Sequence, residues 1–239
     1  MDEDQAPASV IERTGTAGST DRAIGRRRVG RENLARILKA AEHVFAETGF
    51  GGATMAEIAE QAELPKANLH YYFGTKEELY RAVLDDILTA WLTPISAVHP
   101  EADPAEAFTA YIRSKMEATR SRPQASRVYA NEMLHGAPQL QTYLSEDLRR
   151  IVEEKAAVLD GWIAAGKMAP VDTRHFFFMI WALTQHYADF AIQVRLVLDK
   201  TRLDRKDWDQ ITAEVTRLVL RAAGLAEGET GSEHRAKGA

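Results

Sequence analysis

The chain has 239 residues, of which 45% are hydrophobic and 27% charged, and its formal net charge is −5. This composition is ordinary for a soluble globular protein, and the lack of cysteine excludes disulfides and thiolate metal sites. No apolar run approaches the roughly 20 residues that span a bilayer. The acidic N-terminus also lacks the apolar stretch of a signal peptide. We therefore expect a cytoplasmic protein without a membrane segment.

Charge is distributed unevenly along the chain. Residues 22–84 hold 10 Lys and Arg against 8 Asp and Glu, so this third is slightly basic within an acidic chain. Such asymmetry is typical of a DNA-binding domain that precedes an effector domain. Residues 1–30 show no apolar periodicity and are predicted to form a disordered arm. The arm ends in three basic residues: Arg26, Arg27 and Arg28.

From residue 31 onward the apolar spacing is helical. The first predicted helix ends at Gly49, which suits a left-handed cap. Two threonine–glutamate pairs have the spacing of capping boxes and mark later helix starts: Thr54 with Glu57, and Thr75 with Glu78. Pro65 suits the first turn of the short helix that lies between them. Three helices, with a tight turn between the short second and third, are the sequence form of a helix-turn-helix.

The predicted helices after Thr75 are longer. They cover residues 75–93, 104–120, 123–135, 138–165, 173–198 and 205–223. Asp172 is a predicted N-cap, and Gly166 and Gly224 are predicted C-caps. No strand pattern occurs, so the predicted class is all-α. We expect a helix-turn-helix domain (31–74), a helical ligand-binding and dimerisation domain (75–224) and a mobile tail (225–239).

The second helix of the motif is predicted to read DNA. Its inward side chains are Leu69, Tyr72 and Phe73, which leaves four polar side chains facing outward: Lys66, Asn68, His70 and Tyr71. Lysine can meet a phosphate or a guanine, asparagine can pair with adenine, and tyrosine can bond phosphate. Thr54 lies at a helix N-terminus, where amides and a hydroxyl can hold a phosphate. The alternative is a solvated helix face, with the arginines 26–28 as a solubilising tail rather than a basic arm on DNA.

The stretch TMAEIAEQAELPKANLHYYFGTKEELY resembles the signature of TetR-type bacterial regulators. The matching positions include Thr54, Ile58, Ala59, Lys66, Leu69, Tyr71, Tyr72, Phe73 and Lys76. Glu63 stands where the family has a turn glycine, and Pro65 stands where it has a serine, so the turn and the cap are expected to differ locally. The resemblance implies a homodimeric repressor of double-stranded operator DNA, paired through its last two helices, with Lys76 among the DNA contacts.

The second half resembles TetR-type regulators of pyrimidine utilisation, through RPQASRVYANEMLHGAP (122–138) and FMIWALTQHYADFAIQV (178–194). This resemblance implies uracil or thymine as a small-molecule effector that lowers operator affinity. The candidate ligand residues are Trp91, Glu132, Trp181, Thr184 and Gln185. The last three share a helix face at i, i+3 and i+4. An indole can stack on a pyrimidine, and a glutamine amide can both donate and accept.

Three other functions are alternatives to a pyrimidine-responsive regulator. A TetR-type repressor of a larger apolar effector, such as a drug or an acyl chain, needs a long apolar tunnel, which Gln185, Thr184 and Glu132 disfavour. An enzyme is not predicted, because the sequence has no HExxH, nucleophile or glycine-rich phosphate motif, and neither a cofactor nor a metal is expected. A helical adaptor that binds protein but not DNA is distinguishable by a mobility-shift assay.

Overall fold

The computed structural model describes the backbone of residues 17–225 and the side chains of residues 28–225. Within that range the chain is helical and has no β-strand, which confirms the predicted all-α class. The helices are α1 (Ala17–Gly52), α2 (Met55–Gln61), α3 (Lys66–Tyr72), α4 (Lys76–Leu92), α5 (Pro104–Ser121), α6 (Pro123–Leu134), α7 (Gln141–Tyr143), α8 (Arg149–Ala164), α9 (Thr173–Asp189), α10 (Ala191–Val197) and α11 (Arg205–Ala222). A 3₁₀ turn (Thr93–Ala97) follows α4, and a π-helical turn (Leu144–Leu148) joins α7 to α8.

The first helix is longer than predicted. α1 includes residues 17–30, which were assigned to the disordered arm, so that part of the prediction is wrong. Four arginines and two alanines favour helix in this segment and no proline interrupts it, although its three glycines oppose helix. Gly49 has φ 69° and breaks the helix where predicted, before one further turn. The rest of the arm, 1–16, and the tail beyond residue 225 lie outside the described residues.

Side-chain caps mark the predicted helix starts. Thr54 and Thr75 each accept a hydrogen bond from the backbone N–H three residues later, and each forms the predicted capping box. Asp172 caps α9 in a similar way. Gly166 and Gly224 have φ values of 69° and 68° and end their helices as predicted. The predicted helix 173–198 is interrupted at residue 190, whose backbone is non-helical, and therefore forms α9 and α10.

The buried side chains form two hydrophobic clusters. The first is shared by α1–α4, α6 and the turn that follows α6, so it continues past the predicted boundary at residue 74. The second lies between α5, α8, α9 and α11. Helix α4 leads from the first three helices to the junction of the clusters, which is where a cavity lies. Among the described helices, none has the length and apolar character needed to cross a membrane.

Candidate functional site

The turn between α2 and α3 contains the residue that departs from the TetR-type pattern. Glu63 has φ 52°, which is the left-handed region that favours glycine. Arg36 on α1 donates to the carbonyl oxygens of Ala62 at 2.7 Å and of Glu63 at 3.3 Å, and so satisfies free acceptors at the end of α2. The turn is thus made without glycine, at a conformational cost of about 1–2 kcal/mol.

Glu63→Gly is expected to raise the free energy of unfolding by about 0.5–1 kcal/mol, because the relieved strain exceeds the added chain entropy. The ion pair lost with Arg36 is 3.6 Å long and exposed, so its loss costs little. Thermal unfolding measures the effect, with Glu60→Gly as the matched control. Glu60 is exposed within α2, and glycine there is expected to destabilise by about 1 kcal/mol. A lower melting temperature for Glu63→Gly would contradict the strain argument.

Helix α3 is oriented as the sequence predicts. Leu69 is fully buried, and the Tyr72 hydroxyl donates to the carbonyl oxygen of Gly30 at 3.3 Å, which ties α3 to α1. The opposite face is mostly open, since Lys66 and His70 are exposed and Tyr71 is 84% exposed. Asn68, on the same face, is half-buried. A short helix braced on one side, with polar side chains on the other, has the geometry to enter a major groove.

Two other predicted DNA contacts are already engaged within the N-terminal helices. The hydroxyl and backbone N–H of Thr54 both donate to the Glu57 carboxylate at 2.9 Å, so a phosphate there must compete with that carboxylate. The Lys76 ammonium donates to the carbonyl oxygens of Phe50 at 2.7 Å and Ala53 at 2.9 Å, and lies over the Phe50 ring. Lys76 therefore closes the C-terminal end of α1.

The predicted basic arm is only partly visible. Arg28 is exposed and lies 3.6 Å from Glu32, one turn later on α1. The side chains of Arg26 and Arg27 lie outside the described residues. Their role on DNA stays a prediction.

A cavity of about 30 Å³ lies where the two hydrophobic clusters meet. Three of the five predicted ligand residues, Trp91, Trp181 and Gln185, line it. Trp91 meets the Tyr129 ring edge-on at 5.2 Å, and the Trp181 indole N–H donates to the Tyr111 hydroxyl at 2.8 Å. The complete lining is Leu88, Trp91, Leu92, Tyr111, Lys115, Tyr129, Leu148, Trp181 and Gln185. The walls are therefore mostly aromatic and aliphatic, with an amide and an ammonium among them.

Sequence analysis missed Lys115. Its side chain is buried, with Nζ 5.1 Å from the centre of the Trp91 ring. Burial lowers the pKa of this ammonium to about 8, against the opposing effect of the Asp189 carboxylate, so it is mostly protonated at neutral pH. Burial likewise raises the pKa of Asp189, which accepts a hydrogen bond from Ser126. The available signal was a lysine four residues after Tyr111, on the buried face of α5.

Two predicted ligand residues, Thr184 and Glu132, do not line the cavity. Thr184 is fully buried, and its hydroxyl donates to backbone carbonyls one turn earlier. Residues i+3 and i+4 lie about 100° apart around a helix, so Gln185 faces the cavity while Thr184 faces α5. Glu132 is buried on α6, where it accepts from the Tyr80 hydroxyl at 3.0 Å and the Gln139 backbone N–H at 2.6 Å. Glu132 thus joins α6 to α4.

Comparison with known families assigns both halves of the chain. Residues 37–83 match the model of bacterial regulatory proteins of the tetR family. Residues 84–226 match the model of the C-terminal region of YcdC-like proteins. The chain belongs to the TetR family of bacterial regulatory proteins, and it is a helix-turn-helix transcriptional regulator.

The relatives are named as regulators too. The HTH-type transcriptional regulator RutR of Escherichia coli strain K12 is 44% identical, over 86% of this chain and 94% of RutR. The transcriptional repressor NicS of Pseudomonas putida is 29% identical, over 63% of this chain and 73% of NicS. Among solved structures, AibR in complex with isovaleryl coenzyme A and operator DNA has a TM-score of 0.60 at 18% identity, over 78% of this chain and 97% of AibR. A tetR-family protein from Rhodococcus RHA1 has a TM-score of 0.64 at 23% identity, over 82% of this chain and 98% of that protein.

Proposed function

We propose that this regulator is a homodimeric repressor whose affinity for operator DNA falls when a pyrimidine base, such as uracil or thymine, binds. The observation that carries the proposal is the cavity, which places the Trp181 ring, the Gln185 amide and the Lys115 ammonium together. The resemblance of residues 178–194 to regulators of pyrimidine utilisation supports the same effector.

The cavity lining matches the chemistry of a pyrimidine base. Aromatic side chains offer surfaces for a flat ring, while Gln185 can accept from a ring N–H and donate to a carbonyl oxygen. The Lys115 ammonium supplies a further donor for a carbonyl. An acyl chain would leave both polar groups buried without partners, which is unfavourable. These groups favour a pyrimidine over the larger apolar effector that is the alternative.

The size of the cavity indicates how binding reaches the DNA. A water needs about 10–15 Å³, so a cavity of about 30 Å³ admits two or three waters. A pyrimidine requires more room, and in this proposal it gains that room by displacing Trp91 on α4 from Trp181 on α9. Helix α4 starts immediately after α3, so its displacement moves the helix that carries Lys66 and Tyr71. A ligand that prefers the wider cavity therefore shifts the orientation of the DNA reader.

The dimer is proposed from the surface of the last helices. A contiguous exposed apolar surface marks an interaction site. The exposed apolar side chains on α9, α10 and α11, with the leucine that follows α10, are Phe178, Met179, Phe190, Ile192, Leu196, Val197, Leu198 and Leu218. A two-fold dimer must present its two copies of α3 about one DNA turn apart, near 34 Å. In this proposal the arginines 26–28 reach phosphates, and the protein acts in the cytoplasm, where bacterial operators lie.

Calorimetry on the wild-type protein tests the effector, with uracil and thymine as ligands and adenine and a fatty acid as comparisons. Micromolar affinity, about −8 kcal/mol, lies within the ceiling of about −12 kcal/mol for eight heavy atoms. Operator fragments selected from genomic DNA should then lose about 5- to 150-fold in affinity when uracil saturates the protein. Absence of heat with millimolar uracil and thymine, together with release of DNA by the fatty acid, would favour the apolar effector instead.

A further inference from the structure

Arg122 lies at the corner between α5 and α6, where the N-terminal helices meet the ligand-binding half. Pro123 follows it and disfavours a helical backbone, and Arg122 has φ −132° and ψ 59°. Its guanidinium donates to Glu42 on α1 at 2.5 Å and to Asp86 on α4 at 2.7 Å. One cation therefore joins α1, the connecting helix α4 and the α5–α6 corner.

The burial of Glu42 makes this bridge specific. Glu42 is 7% exposed, and a carboxylate so buried is unfavourable unless it is paired. Asp86 is half-exposed and forms the outer side of the bridge. Both carboxylates accept from the same guanidinium nitrogen, Nη2, so the two hydrogen bonds converge on one end of the Arg122 side chain. Arg122 thus holds Glu42 on α1 and Asp86 on α4 close to each other.

Helix α6, which begins beside Arg122, also reaches the cavity. Tyr129 of α6 lines the cavity and packs edge-on against Trp91. On its other side α6 contacts α1, where Arg127 pairs with Glu47 at 3.1 Å. Trp91 lies on α4 and Tyr129 on α6, so a ligand that moves Trp91 changes the position of α4 relative to α6. Arg122 contacts α4 through Asp86 and lies at the start of α6, so it is linked to both of these helices.

We propose that Arg122 is a positioning residue that transmits occupancy of the cavity to the DNA-binding helices. Through Glu42 it makes α1, and with it α2 and α3, follow the corner of the ligand-binding half when α4 moves. Without the bridge, α1–α3 still pack on α4 and α6 through the first cluster and the Arg127–Glu47 pair, but they follow the movement of α4 less closely. The nature of the ligand rests on the proposed function, whereas the mechanical role of Arg122 does not.

The test is the coupling factor, which is the ratio of operator dissociation constants with and without saturating uracil. A change in operator affinity that is independent of ligand divides out of this ratio. Arg122→Ala is expected to bind uracil within about threefold of wild type, because Arg122 does not line the cavity, while the coupling factor falls below about two from the wild-type range of about 5 to 150. Arg122→Lys should fall in between. A folded Arg122→Ala variant with wild-type coupling overturns the proposal.

The matched control is Arg150→Ala. Arg150 also contacts two carboxylates, Asp147 at 3.5 Å and Glu154 at 2.9 Å, but both lie within about one turn of it, in α8 or in the π-helical turn that runs into α8. Its replacement should leave the coupling factor unchanged. If Arg122→Ala does not fold, Asp86→Ala removes only the exposed side of the bridge. It should still lower the coupling factor, and unchanged coupling in that variant also overturns the proposal.

A second measurement separates this inference from the choice of effector. The chain has no cysteine, so Ala56→Cys and Ala157→Cys, both at exposed helix positions, give specific spin labels on α2 and α8. With labelled chains diluted into unlabelled ones, the distance distribution should be narrow in wild type and broad in Arg122→Ala without any ligand. If uracil does not bind the wild type, the proposed effector is wrong, but the ligand-free comparison of wild type with Arg122→Ala still tests the role of Arg122. An unchanged distribution then overturns the role of Arg122.

Discussion

Replacing Lys66 and Tyr71 together by alanine is expected to weaken operator binding by about 2–4 kcal/mol, roughly 30- to 900-fold. Both side chains face away from the body of the N-terminal helices, and Tyr71 is 84% exposed. Its ring lies nearly perpendicular to that of Tyr72, and because most of the side chain is exposed, little packing is lost with it. The variant should therefore keep the helicity, melting temperature and oligomeric state of the wild type.

Fluorescence anisotropy over a range of salt concentrations measures this effect. Each lost phosphate contact should lower the slope of log affinity against log salt by about 0.9. Lys206→Ala is the control, because Lys206 is exposed on α11, outside the helix-turn-helix. Leu69→Ala gives the contrasting result, since deletion of a fully buried leucine should cost about 2–5 kcal/mol of stability. Wild-type affinity in a folded double variant would exclude α3 as the DNA reader.

The DNA-binding half was predictable because its signals are local. Each capping box, at Thr54 and at Thr75, marks a helix start by a pattern only four residues long. The helical period likewise predicts that Leu69 lies on the buried side of α3. Glu63 shows the same principle, because the position where the family has glycine does adopt a positive φ. Lys76 is the exception. Its partners lie in a preceding segment, and no local pattern distinguishes a lysine that caps another helix from one that contacts DNA.

The cavity was only partly predictable because its walls come from distant segments. Trp181 and Tyr111 are 70 residues apart, and nothing local pairs them. Trp181 and Gln185 share a helix face and both line the cavity, whereas Thr184 lies about 100° around the helix from Gln185 and does not line it. Glu132 lies outside the lining for a related reason. Its partner Tyr80 lies 52 residues away, and that pairing places the carboxylate inside the first cluster.

Replacing Gln185 by leucine is expected to abolish the response to uracil while operator binding stays as in the wild type. Leucine has similar bulk but neither donor nor acceptor, so a ring N–H and a carbonyl of the base would be buried without partners. Each unpaired group costs about 1–3 kcal/mol, so uracil affinity should fall by about 30-fold or more. Because Gln185 is remote from α3, the affinity for DNA without uracil should not change.

The comparison that isolates this effect is Gln141→Leu, the same substitution at an exposed position outside the cavity lining. It should leave both uracil affinity and operator release unchanged. Calorimetry and anisotropy on the same preparations then test a linkage requirement, since a ligand alters DNA affinity only through its different affinities for the two protein states. Loss of binding and loss of release must therefore occur together in Gln185→Leu. Uracil binding at wild-type affinity, or release of the operator at the uracil concentrations that release it from the wild type, would show that Gln185 does not hold the base.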